Sequence, residues 1–291
     1  MFDELYRKLN PAQRRAVDSV EGPVMVVAGP GTGKTAILTL RVANILRVTD
    51  TNPGNILALT FTESSAANMR RRLADIIGSA GYEVKINTFH GFCNDIIKNY
   101  PEDFPAIIGA EHIREIEQVK IIESLIGSPP EGAILTSLKP FGDPFYYLRA
   151  ILGSITELKR EGVTPENFRK ITDDERKNFE LIEDLYYVSG PHKGKMKGDY
   201  QKLQKQILKN KELAILYAGY RETLRARRLY DYSDMIMEVL RALQENKNLL
   251  LMLQEAHQYI LVDEHQDTNN AQNKIIELLC GFHATPNIFV V

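Results

Sequence analysis

The chain has almost no cysteine. Cys93 and Cys280 are its two, far apart and in no CxxC pair. That argues against a disulfide scaffold or a zinc site and fits a reducing compartment. Net charge is also nearly absent: 36 Lys and Arg against 38 Asp and Glu leave a formal charge of -2. A chain-wide basic field of the kind that announces a nucleic-acid binder is therefore excluded, and any such surface has to be a local patch. No apolar stretch approaches the ~20 residues of a membrane-spanning helix. The opening "MFDELYRKLN" lacks the basic start, apolar run and small-residue cleavage site of a signal peptide. These absences together predict a cytoplasmic protein with no membrane partner. Internal repeats and low-complexity tracts are missing too.

The 291 residues suffice for one large domain or two smaller ones, and 44% hydrophobic with 25% charged residues is ordinary for a soluble protein with a real core. Five short runs rich in Val, Ile and Leu read as buried parallel strands: Val24–Ala28, Ile56–Phe61, Val84–Thr88, Tyr259–Asp263 and Ile288–Val291. Amphipathic helical patterns follow several of them, over Lys34–Leu46, Ser64–Ile77, Gly91–Asn99 and Asn270–Cys280. Strand, loop and helix in repetition predict an α/β domain with a parallel sheet. From about Pro105 to about Lys209 the patterns are helical, punctuated by "IGSPPEGA", "KPFGDP" and "GPHKGKMKG". This stretch reads as a helical domain inserted into the α/β domain. A long helix, roughly Lys211 to Leu229, is expected to return the chain to the sheet.

The sharpest local signal is "VMVVAGPGTGKTAIL", a buried strand running through a glycine-rich turn into a helix. Gly29, Gly31 and Gly33 permit backbone angles that gather N–H groups around a phosphate, and the helix start adds its positive dipole end. Lys34 can reach β- and γ-phosphates, and the Thr35 hydroxyl can ligate Mg²⁺. The first glycine of the usual pattern is Ala28 here, which leaves the loop chemistry intact. Such a site needs a carboxylate at the end of a neighbouring strand to hold the Mg²⁺ shell. Asp263 closes "YILVD" and fits. Glu264, next along, can orient and deprotonate a water. Asp267-Thr268-Asn269 reads as a cap before "NAQNKIIELL". In "LNPAQRRAV", the Gln13 amide offers a donor and acceptors to an adenine edge, although a surface helix would hold it equally well.

Taken together, these residues resemble the UvrD/Rep (PcrA-like) family of superfamily 1 DNA helicases. "LNPAQ" is similar to the family's Q motif, "AGPGTGKT" to motif I, "ALTFTESSAANMRRRL" to motif Ia, "INTFHGFC" to the next DNA-contacting motif and "LVDEHQDTN" to motif II. "RRLYDYSDMI" resembles the segment by which the family's chain rejoins its first motor domain. The resemblance covers nearly the whole chain. It implies a RecA-like P-loop NTPase motor domain (1A) over residues 1–105 plus 210–291, carrying a helical insertion (1B) over residues 106–209. It implies ATP-driven 3′-to-5′ translocation on single-stranded DNA and at single-strand/double-strand junctions, with ATP and Mg²⁺ as cofactors and DNA repair among the processes served.

By the same resemblance Gln13 contacts adenine, and Ala28, Gly29, Pro30, Gly31, Thr32, Gly33, Lys34 and Thr35 form the phosphate loop. Arg41 stands where the family has a nucleotide-contacting arginine. Asp263 joins Thr35 on the metal, Glu264 is the catalytic base, and Gln266 senses the γ-phosphate. Phe61 and Thr62, then Thr88, Phe89 and His90, match the DNA-contacting motifs, where aromatic faces stack on bases and hydroxyls and imidazoles bond phosphates. Without that pattern His90 also reads as a buried histidine at a strand end. Glu63-Ser64 stands where the family commonly has Asn-Lys, which removes a cation near the DNA backbone and adds an anion. His265 replaces the usual Tyr or Phe of motif II. Lys193, Lys195, Lys197, Lys202, Lys205, Lys209 and Lys211 make a basic cluster, either a phosphate-contacting loop or a solvated one.

The family pattern continues beyond "NIFVV" with motif III, a second motor domain and its insertion (2A and 2B). Arginines there stabilise the transferring phosphoryl group, a contribution of ~10³–10⁵ in rate. This stretch by itself is therefore expected to have little or no ATPase or unwinding activity. Two other readings remain at this point: a single-strand- or partner-binding module with an idle nucleotide site, and the motor of a RecB/AddA-type helicase–nuclease.

Overall fold

The computed structural model describes residues 1–29 and 31–291, residue 131 by its backbone alone. Two compact units emerge, one of residues 1–105 and 235–291, the other of residues 106–234. In chain order the first unit begins with α1 (Phe2–Arg7), α2 (Pro11–Asp18), β1 (Val24–Met25), α3 (Lys34–Val48), β2 (Ile56–Thr60), α4 (Glu63–Ile77), β3 (Lys85–Thr88) and α5 (Phe89–Asn99). The second unit follows with β4 (Glu111–His112), α6 (Glu115–Gly127), α7 (Leu148–Arg160), α8 (Pro165–Glu180), α9 (Gly198–Ala226) and β5 (Leu229–Tyr230). Then come α10 (Tyr232–Glu245), α11 (Lys247–Ala256), β6 (Tyr259–Val262), α12 (Asn270–Cys280) and β7 (Ile288–Val290).

The first unit is built on a five-stranded sheet in the order β1-β7-β6-β2-β3, with every neighbouring pair parallel. β2 and β6 are buried along their whole length, as continuous Ile/Leu/Val runs covered on both faces by helices must be. All five runs expected from sequence are strands; four end one to three residues earlier than their apolar runs, and β3 ends with its run at Thr88 but starts one residue later. The trimmed residues (Val26–Ala28, Phe61, Asp263, Val291) lie at the sheet's C-terminal edge, where the chain turns out of the ladder. Four helices of this unit that flank the strands begin on side-chain caps. Asn10 and Gln13 form a reciprocal box before α2, Thr62 accepts from the Ser65 N–H, Thr88 from the Gly91 N–H, and Asn269 forms a box with Gln272.

The second unit includes residues 210–234, which the sequence reading gave to the sheet domain. The reason is packing. α9 is 29 residues long, and Ala214, Leu216, Tyr217, Tyr220 and Leu224 on it are buried with Ile121, Ile122 and Ile126 of α6. Besides its helices the unit holds a two-residue parallel ladder, Glu111–His112 on Leu229–Tyr230, too short to show as an apolar run. Two buried charges organise it. The Glu212 carboxylate accepts from the Thr136 and Leu138 N–H groups at 2.8 and 2.7 Å, from Ser137 N–H and from the Thr136 hydroxyl. Lys159, 3% exposed, donates to Asp231 at 2.5 Å and Asp234 at 2.6 Å. Asp231 and Asp234 also take backbone N–H groups at the start of α10. Truncating Lys159 to Ala strands two buried carboxylates, and the expected loss is about 3–5 kcal/mol of unfolding free energy, measured by urea denaturation. A loss under about 1 kcal/mol would contradict the buried-triad assignment.

His257 in the first unit is 5% exposed, meets Phe92 edge-on at 5.5 Å, and has no hydrogen-bond partner at Nδ1. Burial, then the charge of Lys85, pulls its pKa down to about 4, against ~6.5 in an unfolded chain. The folded state thus binds fewer protons than the unfolded state between these values. Stability from this site is complete above pH ~6.5 and is lost as pH falls toward the folded value, by about 3 kcal/mol in all. His257→Leu should flatten the stability profile between pH 4 and 6.5. Parallel profiles for the two proteins would sink the idea.

Candidate functional site

Because every ladder is parallel, the C-terminal ends of the strands share one edge, the side on which open α/β sheets place ligands. The loop after β1, the acids after β6, Phe61-Thr62 after β2 and the Thr88 cap after β3 all lie along it. In the β1 loop, Gly31 and Gly33 take φ of 74° and 82°. An added Cβ would meet nothing within 4 Å at either, so handedness rather than space requires glycine there. Thr32 closes the turn through its hydroxyl on Gly29 O at 2.7 Å. Gly33 starts α3 without a side-chain cap, which leaves the helix's first N–H groups for an anion. Pro30 lies outside the described residues.

Across the edge, Asp263 is 3% exposed, accepts from the Thr35 hydroxyl at 3.0 Å and takes the Glu264 N–H on its other oxygen at 3.1 Å. Burial raises its pKa, against the lowering from the Thr35 hydrogen bond. Glu264 adopts a left-handed φ of 52°, strained for a residue other than glycine. That twist turns its carboxylate back toward the loop, where it receives Lys34 Nζ at 2.8 Å and the Gln266 amide. The Lys34 hydrogen bond, then the Gln266 one, holds Glu264 below the usual carboxylate range, and the same bond raises Lys34. Clefts flank the loop on both sides. One of about 540 Å³ is lined by Asn10, Gln13, Ala16, Gly29, Thr32 and Ile37 among others. The other, about 650 Å³, is lined by Gly31, Lys34, Glu264, His265, Gln266 and the residues around β1 and β7. Both fall in the size range of small-molecule sites.

The donor set suits Mg²⁺ with a phosphate ligand. Thr35 Oγ1 and an Asp263 oxygen sit together, and Mg²⁺ is bound by one or two protein oxygens with phosphate and water completing the octahedron. Among the described residues no group of three or more His, Cys, Asp or Glu could hold a metal by itself. Gln13 faces the first cleft, and its amide is half engaged. Oε1 takes the Asn10 N–H at 2.9 Å, and Nε2 donates to Thr32 O at 3.2 Å. One N–H and one carbonyl lone pair stay available for a base edge. Asn10 was missed from the sequence. Its signal is the spacing Asn-Pro-x-Gln, a capping box with Pro in the first turn.

Other expected residues are placed differently. Arg41 is 1% exposed and does not reach the loop. Its guanidinium caps the end of α2, on Ala16 O at 2.7 Å and Val20 O at 3.3 Å, while Asn44 takes Val17 O. It lies 4.6 Å from the Phe289 ring centroid, and burial pulls its pKa down to about 10, which leaves it charged at neutral pH. Phe89 is 4% exposed, so its ring offers no face to a base. Phe61 is 58% exposed and does. Thr88 caps α5, and its hydroxyl proton goes to Glu63 Oε1 at 2.7 Å. His90 is half-buried beside it. His265 keeps its backbone N–H on Val291 O and its ring near the Thr268 hydroxyl. In the other unit, Lys197 is paired with Asp184, which neutralises one charge of the lysine cluster, and Lys209 donates to the Tyr147 hydroxyl and keeps its charge.

The family described as the UvrD/REP helicase N-terminal domain matches residues 9–291. The chain belongs to this family. It is 30% identical over 278 residues to the ATP-dependent DNA helicase PcrA of Bacillus subtilis, and 29% identical over 280 residues to that of Staphylococcus epidermidis. These matches cover 95% and 96% of this chain but 32% of each relative. Within the UvrD/REP domain, the placement of Arg41 predicts a structural effect. Arg41→Ala should cost about 2–4 kcal/mol of unfolding free energy, since it leaves buried carbonyls unpaired, yet change nucleotide affinity by less than about threefold below the melting range, a shift small on the scale of lost charge-assisted contacts. A tenfold loss of affinity at unchanged stability would return Arg41 to the nucleotide.

Proposed function

We propose that this chain is the ATP-binding N-terminal part of an ATP-dependent 3′-to-5′ DNA helicase that acts in the cytoplasm on single-stranded DNA. One observation carries the reading: Lys34–Glu264 and Thr35–Asp263 are assembled pairwise across the strand ends, with uncapped helix N–H groups between two clefts. An idle nucleotide site would have no reason to keep both pairs. The relatives' printed name, ATP-dependent DNA helicase, supports the same activity. Two unpaired cysteines support a reducing compartment, and no described helix is long and apolar enough to cross a membrane.

In this reading Ala28–Thr35 receives the phosphates of ATP, and Thr35 and Asp263 would hold Mg²⁺, which would supply neutralisation of phosphate charge. Lys34 leaves Glu264 for the phosphates. Glu264, freed of its cation, then becomes more basic and can take a proton from an attacking water. Gln266 hydrogen-bonds the same carboxylate oxygen as Lys34, so its position follows whether Lys34 is present. Gln13 reads the adenine edge. Phe61 stacks on a base, and Thr62 and His90 hold the DNA backbone.

The 291-residue chain should bind a fluorescent ATP analogue with Mg²⁺. Lys34→Ala should weaken that binding by about 30-fold or more, as expected for a lost charge-assisted contact. Glu264→Gln should leave binding within about threefold, because it removes only the group Lys34 abandons, while abolishing any hydrolysis that the wild type shows. Equal affinity for wild type and Lys34→Ala would defeat the nucleotide assignment.

A further inference from the structure

Thr88 has a single hydroxyl proton and two lone pairs. The proton is spent on Glu63 Oε1 at 2.7 Å, and one lone pair accepts the Gly91 N–H at 3.0 Å. What remains is a lone pair, and a phosphate oxygen can only accept. With Glu63 in this position, Thr88 therefore has nothing to give a nucleic-acid backbone. The carboxylate does more than occupy the hydroxyl. It puts a full negative charge within hydrogen-bond distance of the side chain, on the strand-end edge shared with Phe61 and Thr62.

Thr88 is itself buried, 6% exposed, so its hydroxyl reaches a phosphate only when Glu63 moves away, and the group placed at the surface is Glu63. It is exposed, it is the first residue of α4 after the Thr62 cap, and no cation is paired with it among the described ion pairs. Its geometry is that of an internal competitor for the phosphate.

We infer that Glu63 sets the single-strand affinity of this domain by competing with a DNA phosphate for the Thr88 hydroxyl. This rests on the DNA half of the proposed function and specifies its regulation. Two states follow, Glu63 on Thr88 with the site closed to phosphate, and Glu63 swung to solvent with the hydroxyl released. A phosphate has to displace one anion and approach it at the same time, so the grip at this position is weakened rather than abolished.

The test uses the whole chain and a fluorescein-labelled oligothymidylate, read by anisotropy, with thermal melts of every variant. Glu63→Gln keeps a hydrogen-bond acceptor for Thr88 and removes only the charge. It should tighten binding about tenfold, the scale of one like-charge contact at a protein surface, and Glu63→Ala should tighten it at least as much. Thr88→Val should change affinity less than about twofold in the wild-type background, where the hydroxyl is already engaged. In the Glu63→Ala background it should weaken binding about fivefold or more, a non-additivity that a purely structural clasp would not produce. Unchanged or weaker binding by Glu63→Gln, or equal effects of Thr88→Val in both backgrounds, overturns the inference. Wild-type binding with no gain in Glu63→Gln removes this inference and leaves the proposed function standing. No binding by any variant removes both the inference and the DNA half of that function.

Discussion

The site depends on a strand that is buried on every side. β6 lies between β7 and β2 and has no exposed residue, so its direction and register are fixed by the core rather than by the acids at its tip. A one-residue slip would exchange the faces on which its apolar residues pack and move Asp263 to the opposite face. With the register held, Asp263 leaves the ladder with its N–H still on Leu59 O at 2.9 Å, and its carboxylate meets Thr35 from the start of α3. Glu264, one residue on, reaches the same loop only by taking the left-handed backbone. The strain at Glu264 follows from asking two neighbouring side chains to face one loop when a strand would send them to opposite faces.

Stability and proposed function share side chains on the same edge. Thr62 and Thr88 cap α4 and α5, and Gln13 closes the box that starts α2 while reaching the phosphate loop. A cap at a strand end is a polar group held where the chain has left the sheet and before the helix has absorbed its donors. That is also where a phosphate or base edge finds unspent hydrogen-bonding capacity. The dual use has a consequence for Thr88, whose one proton cannot serve both an internal carboxylate and an external ligand.

Most of the sheet was legible in the sequence because buried parallel strands announce themselves as unbroken Val/Ile/Leu runs, and the loop because glycine, lysine and threonine at that spacing have no packing use. The strand ends were overcalled because Val27, 92% exposed, and its neighbours are as apolar as the ladder residues before them. Residues 210–234 pack with the second unit, which their sequence does not show, because a helix's apolar stripe says that it packs, not on what. Arg41 and Phe89 show the same limit at single residues. A motif position names a side chain, but burial under α2 for one and in the core for the other depends on long-range packing that sequence spacing does not encode. The Glu63–Thr88 bond joins residues 25 apart, on two strand ends that only the β2–β3 ladder makes neighbours.

Two lysine–carboxylate pairings in this chain show how burial separates structure from chemistry. Lys159 is sealed between Asp231 and Asp234 at 3% exposure. Releasing it would leave bare charges in a medium that solvates them poorly, so that pairing is permanent on any timescale short of unfolding. Lys34 and Glu264 have side chains 15% and 38% exposed. Water can take over either charge when the pair opens, and an incoming phosphate can replace the carboxylate at little net cost. The pair in the phosphate loop therefore keeps each group charged and poised without locking either to the other. In the function proposed above, exchange of partners by Lys34, rather than the pair itself, would pass the arrival of a nucleotide to Glu264 and, through the carboxylate oxygen it shares with Gln266, to Gln266.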